Sequence, residues 1–135
     1  MRPGPARGTT AMAELVVEAS MADAGHATEI APELPASFGT LSMADAVARL
    51  ARTVLDGHLE DDEIVVPGRL EIIHRTPIRV GAAVQLDATV QMVEPDRVTC
   101  EVLVRTDGVV AARASYEQEV VRRNEWLERL GAVAD

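Results

Sequence analysis

Phe38-Gly39-Thr40-Leu41-Ser42-Met43-Ala44-Asp45 leads into a helical pattern, and Leu70-Glu71-Ile72-Ile73-His74-Arg75-Thr76-Pro77 ends a later run with strand character. Thr40 and His74 are 34 residues apart. A hydroxyl at a helix start and an imidazole on a later strand can meet only if that helix lies across that strand. The two stretches therefore predict an α+β architecture, in which a curled antiparallel sheet of about five strands wraps around one long helix.

The surrounding pattern agrees. From Met43 the apolar residues Met43, Val47, Leu50 and Val54 recur at three- and four-residue steps, and Ala44, Ala48, Ala51 and Leu55 fill the adjoining face. This predicts a helix over Ser42 to Asp56 that ends near Gly57, with alanines small enough for a sheet to approach closely. Ser42-Met43-Ala44-Asp45 has the spacing of a capping box at its start. Glu14 to Ser20 is β-branched enough for a first strand. Met21 to Ser37, with Gly25, Pro32 and Pro35, has no clear period and reads as a long loop, the kind that often serves as a lid.

Strands follow the helix. Ile64 to Thr76 is one, and Val84 to Met92 alternates apolar and polar residues as a half-buried antiparallel strand does. Glu94-Pro95-Asp96 turns the chain, Val98, Cys100, Val102 and Val104 alternate again, and Asp107-Gly108 is a two-residue hairpin signal. Val110, Ala112, Ala114 and Tyr116 open the last strand. Trp126, Leu127 and Leu130 mark a short amphipathic helix at the end, suited to packing on the sheet or on a partner subunit.

Composition limits the functions open to such a fold. The chain has 135 residues, 47% of them hydrophobic, which is enough for one buried core but not two. Residues 13–135 read as one domain, and residues 1–12, with Pro3, Gly4, Pro5 and Gly8, as a disordered leader, Met12 being an alternative start. The formal charge is -9 and no basic run exceeds two residues, which argues against nucleic acid and acidic membranes as partners. All 13 basic residues are arginine, so an anion site must use guanidinium or backbone N–H groups. The lone cysteine, Cys100, fits a buried strand position. No run suits a signal peptide or a membrane span, so the cytoplasm is the expected location. No cluster has metal-ligand spacing, and neither a phosphate loop nor a nucleophile elbow is present. His26 and His58 read as surface or loop residues.

The order of elements, Phe38-Gly39-Thr40 before the helix, His74 and Gly81 together resemble the hotdog-fold thioesterase superfamily, and within it the fluoroacetyl-CoA thioesterase-like branch. The resemblance spans roughly Glu14 to Arg123. It implies a homodimer with its site at the subunit interface, thioester hydrolysis as the reaction, and coenzyme A as part of the substrate with no separate cofactor. Thr40 falls on the family's active-site threonine and His74 on its catalytic histidine. The family's helix acid falls on Ala48, and Asp45 is the nearest substitute on the helix, Glu71 a weaker one. The glycine near the thioester carbonyl falls beside Gly68, and the lid aromatic falls on Leu34.

Elementary chemistry supports the same residues. A helix start carries free N–H groups and a positive dipole end, suited to a developing oxyanion. Imidazole titrates closest to neutrality of all side chains, so His74 suits a general base toward water. Thr40 then orients water or substrate, since threonine attacks poorly without a base close by. Phe38 and Gly39 flank the pocket, and Arg69, Arg75 and Arg79 are candidate contacts for the CoA phosphates. The expectation is an acyl-CoA thioesterase for a small or medium acyl group, with Thr40, His74 and Asp45 as site residues. Ala48 supports the alternative of a hotdog protein that binds an acyl-CoA or another small molecule without turning it over. A hydratase on the same fold lacks its acid–histidine spacing here.

Overall fold

The computed structural model describes residues 1–22 and 31–131. Five strands form one antiparallel sheet in the order β1-β3-β4-β5-β2: β1 Thr10–Val16, β2 Glu63–His74, β3 Ala83–Glu94, β4 Arg97–Thr106 and β5 Val109–Arg122. The long helix α1, Thr40–Thr53, lies against the concave face, and a short helix α2, Arg123–Arg129, follows β5. The expected α+β hotdog architecture is present. Among the described residues no helix is long and apolar enough to cross a membrane.

Alternation decides which side of each strand meets the helix. Val84, Leu86, Ala88 and Val90 of β3 face inward with Val98, Cys100, Val102 and Val104 of β4, and all are buried. Helix residues Met43, Val47, Leu50 and Ala51 close this core. Burying four such side chains is worth several kcal/mol, at roughly 1.5–3 kcal/mol for each large apolar one. The outer face carries charge ladders instead, including Arg105–Asp87 at 3.1 Å and Arg113–Glu101 at 3.4 Å. Burial pushes the Cys100 thiol up to about 11, the behaviour of a packed hydrophobe rather than a nucleophile.

Turn chemistry fixes the register. Asp107 (φ 48°) and Gly108 (φ 73°) both occupy the left-handed region that the two-residue β4–β5 hairpin requires. A bulge between Pro67 and Arg69 breaks the β2–β5 ladder, where proline has no N–H to donate. An added Cβ at Gly68 would sit 3.2 Å from the Glu117 carbonyl oxygen, tight enough to favour glycine there.

Several boundaries differ from the sequence reading, β2 ending at His74 rather than Thr76 and β3 at Glu94 rather than Met92. β1 runs over Thr10–Val16 rather than Glu14 to Ser20, so Thr10–Met12, assigned above to the leader, belong to the sheet and pair with Thr89, Ala88 and Asp87. Residues before them are also tied down. The Met1 ammonium pairs with Glu63 at 2.7 Å, His58 Nδ1–H donates to the Pro3 carbonyl at 2.7 Å, and the Gly8 N–H donates to Val90. Composition read this stretch as leader because its partners lie some fifty residues or more away in sequence. The helix begins two residues before Ser42, with Gly39 as an extended N-cap whose carbonyl accepts from the Met43 N–H. It ends at Thr53, and Gly57 (φ 81°) reverses the chain after a further turn. His26 and the middle of the expected lid lie outside the described residues.

One buried polar side chain ties helix to sheet. Gln118, fully buried on β5, donates from Nε2 to the Ala51 carbonyl at 2.8 Å, while its Oε1 has no partner among the described residues. Gln118→Ala loses this bond and leaves a cavity, an expected destabilisation of about 2–3 kcal/mol in urea unfolding. Gln118→Met keeps the volume and removes the unpaired oxygen, so its expected change is within about 1 kcal/mol.

Candidate active site

The start of α1 is set by tertiary bonds rather than by a capping box. The Phe38 N–H donates to the Ile78 carbonyl and the Gly39 N–H to the Met21 carbonyl, which pins the chain just ahead of Thr40. Phe38 itself is buried. Ser42 therefore lies inside the first turn, and Asp45 does not reach back to it. Asp45 Oδ2 instead accepts from Arg49 Nε at 2.8 Å, one turn on and exposed to solvent. Asp45 is five residues after Thr40, about 140° around the helix, so it points away from His74.

β2 delivers His74 from the other side. His74 pairs with Ala112, an inward-facing residue of β5, so its ring lies on the face that meets the helix. Thr40 Oγ1 is 3.2 Å from His74 Nδ1. His74 Nε2 is 3.0 Å from the Thr76 carbonyl oxygen. A carbonyl can only accept, so in the neutral imidazole Nε2 carries the proton, and Nδ1 is left to accept from the Thr40 hydroxyl. Sequence reasoning had no motif for the Thr76 carbonyl. The usable signal was Pro77, which biases the residue before it toward extended backbone.

The pair opens into a cleft of about 650 Å³ whose lining includes Ser20, Ser37, Phe38, Gly39, Leu41 and Pro77. Of the N–H groups left over at the helix start, that of Gly39 is used by Met21. Those of Thr40, Leu41 and Ser42 have no backbone partner among the described residues. Three free amides, the helix dipole, a hydroxyl and an imidazole thus meet in one place. This is the equipment for stabilising an oxyanion beside a base.

The remaining expected residues are distributed differently. Leu34 is exposed in a turn, outside the cleft lining. Gly68 is six residues before His74 on the same strand, about 20 Å away at 3.3 Å per residue, and so outside the site of its own chain. Glu71 pairs with Ser115 on the outer face and is engaged by Arg69 at 3.2 Å, which removes both from consideration. Arg75 and Arg79 are exposed just beyond His74, and neither is ion-paired among the described residues. Ala48 is packed against the core. No carboxylate accompanies the Thr40–His74 pair in its hydrogen bonds, and no group of three possible metal ligands occurs among the described residues.

Comparison with known proteins bears on this geometry. The sequence model of the fluoroacetyl-CoA-specific thioesterase family, FlK, matches residues 22–124. The chain belongs to this family. Solved structures share its fold across almost the whole length. The fluoroacetyl-CoA thioesterase FlK superposes with a TM-score of 0.82 at 18% identity, covering 98% of this chain and 99% of that one. A Thermus thermophilus thioesterase superfamily member gives 0.83 at 24% identity, covering 97% and 96%. A hot-dog-like protein from Thermanaerovibrio acidaminovorans gives 0.81 at 23% identity, covering 96% and 91%. Among curated protein sequences, none matches significantly. The match makes the chain a thioesterase-family hotdog protein, one whose fold brings Thr40 and His74 into contact.

The tautomer is directly measurable. In 15N-detected NMR of the neutral side chain, the expected pattern for His74 is a protonated Nε2 and a bare Nδ1. A protonated Nδ1 would contradict the hydrogen bonding described here. Thr40→Val, which removes the donor and keeps the shape, should shift the Nδ1 resonance and leave Nε2 protonated.

Proposed function

We propose that this protein is an acyl-CoA thioesterase that hydrolyses its substrate at the mouth of α1, with Thr40 and His74 as the catalytic pair. The observation that carries the proposal is the 3.2 Å contact between Thr40 Oγ1 and His74 Nδ1 beside the free amides of the helix start. In this reading the thioester oxygen lies on the amides of Leu41 and Ser42. A water held by the Thr40 oxygen attacks the carbonyl carbon, and its proton passes through the hydroxyl to Nδ1. Collapse of the tetrahedral intermediate breaks the carbon–sulfur bond, and the CoA thiolate recovers the proton from His74. Arg75 and Arg79 suit the CoA phosphates, being exposed cations on the His74 side of the cleft.

A homodimer follows from the same reading. β2 is a 12-residue strand at the sheet edge, with Leu70 and Ile73 exposed. Such an edge invites a partner. Two copies paired antiparallel about Glu71 would bring a second chain's Gly68 opposite His74, which accounts for a glycine that one chain alone leaves distant. Leu70→Lys with Ile73→Lys is expected to give monomers in analytical ultracentrifugation. A dimer that persists would place the interface elsewhere.

The second reading, an acyl-CoA-binding protein without turnover, draws on Ala48. With Asp45 held by Arg49 and Glu71 on the outer face, neither of these carboxylates reaches the pair. Free CoA release from a panel of acyl-CoAs separates the two. Hydrolysis that falls about 10²-fold or more in both Thr40→Ala and His74→Ala supports the thioesterase. Asp45→Asn should change the rate less than about threefold, as expected for a surface ion pair. Saturable binding with no release from any acyl-CoA would leave the binding protein. The setting for either role is the cytoplasm.

A further inference from the structure

A second cleft, of about 540 Å³, adjoins the first on the β1 side of α1. The two share Ser20, Phe38, Leu41 and Ser42, so they are continuous around one side chain. That side chain is Leu41, which is 80% exposed and is the most exposed large hydrophobic residue described. Beyond it the second cleft is walled by Leu15, Met21, Phe38 and Ala46, and its far end is reached at the Asp45–Arg49 ion pair. Leu41 with Leu15, Met21, Phe38 and Ala46 makes a contiguous apolar stretch of the trough wall, the kind of patch that marks a ligand groove.

The geometry points to this trough as the acyl-binding site, and to a medium-chain apolar acyl group, rather than a two-carbon one, as the substrate class. The inference rests on the thioester reading above. With the carbonyl oxygen on the Leu41 and Ser42 amides and the CoA arm toward Arg75 and Arg79, the space left for the acyl group is on the far side of Leu41. From Ser42 to Arg49 the helix rises about 10 Å, room for a medium chain but not a long one. Among the described residues nothing charged lines the trough before Asp45, and Asp45 and Arg49 neutralise each other where it ends. Leu41 and Ala46 are then specificity-determining residues. Leu41 supplies one wall, and the small side chain of Ala46 keeps the floor open.

Binding separates this inference from the hydrolytic reading, because it needs no turnover. Calorimetric titration of the full-length His74→Ala variant with acetyl-CoA and octanoyl-CoA should show octanoyl-CoA binding tighter by roughly tenfold to a hundredfold, as several buried methylenes allow. Ala46→Phe in the same background should bring the two affinities within about threefold by filling the trough, with acetyl-CoA little changed. Leu41→Trp, at an exposed position that folding does not depend on, should weaken octanoyl-CoA selectively. Equal affinities for the two thioesters, or a preference untouched by both substitutions, would overturn the acyl assignment even if the wild type hydrolyses thioesters. A chain-length preference that responds to both substitutions, in a protein that releases no CoA, would uphold the acyl site and overturn the hydrolysis instead.

Discussion

The structure depends on one demand, that a single curled sheet bury the apolar face of α1 without a second layer to help. Met43, Val47, Leu50 and Ala51 satisfy it from the helix, and the inward residues of β3, β4 and β5 from the sheet. Alanine is what allows the close approach. The sheet cannot wrap α1 unless β2 crosses near the helix start, and that crossing places His74 beside Thr40. The contact is thus a by-product of core packing, held by the same burial that holds the fold.

The site is correspondingly sparse. Among the described residues the polar parts at the contact itself are the Thr40 hydroxyl, the His74 imidazole, the Thr76 carbonyl and three unpaired amides. Each is fixed by something rigid: Thr40 and the amides by the helix, His74 by the β2–β5 ladder, the carbonyl by the Thr76-Pro77 exit from the strand. Preorganisation of this kind costs nothing at the moment of reaction, which is why fixed dipoles stabilise developing charge better than mobile water. Among the described residues no carboxylate bonds to the Thr40–His74 pair. Ala48, on the same helix, contributes packing to the core.

Much of this was legible in the order of residues. Alternation in Val84 to Met92 and in Val98 to Val104 predicted two strands and their buried faces, because period two leaves no other way to hide one side. Asp107-Gly108 predicted the hairpin because few residues tolerate two successive positive φ angles. The boundaries were less legible. β1 begins at Thr10 because its partners on β3 are there to pair with, and nothing local announces them. The Ser42-Met43-Ala44-Asp45 spacing suggested a cap, yet the bonds from Phe38 to Ile78 and from Gly39 to Met21 start the helix earlier and leave Asp45 to Arg49.

By itself the sequence determined the α+β class and the sides of the strands that are buried, since periodicity is a local quantity that survives without coordinates, while the joint role of Thr40 and His74 was legible only through the resemblance of their motifs to a known family. Only the tertiary structure decided where Asp45 is bound, which amides are free, and which way the imidazole is protonated. Those depend on where a side chain points around a helix and on which long-range partner has already taken a hydrogen bond. Both are set by packing between segments that the chain keeps far apart in sequence.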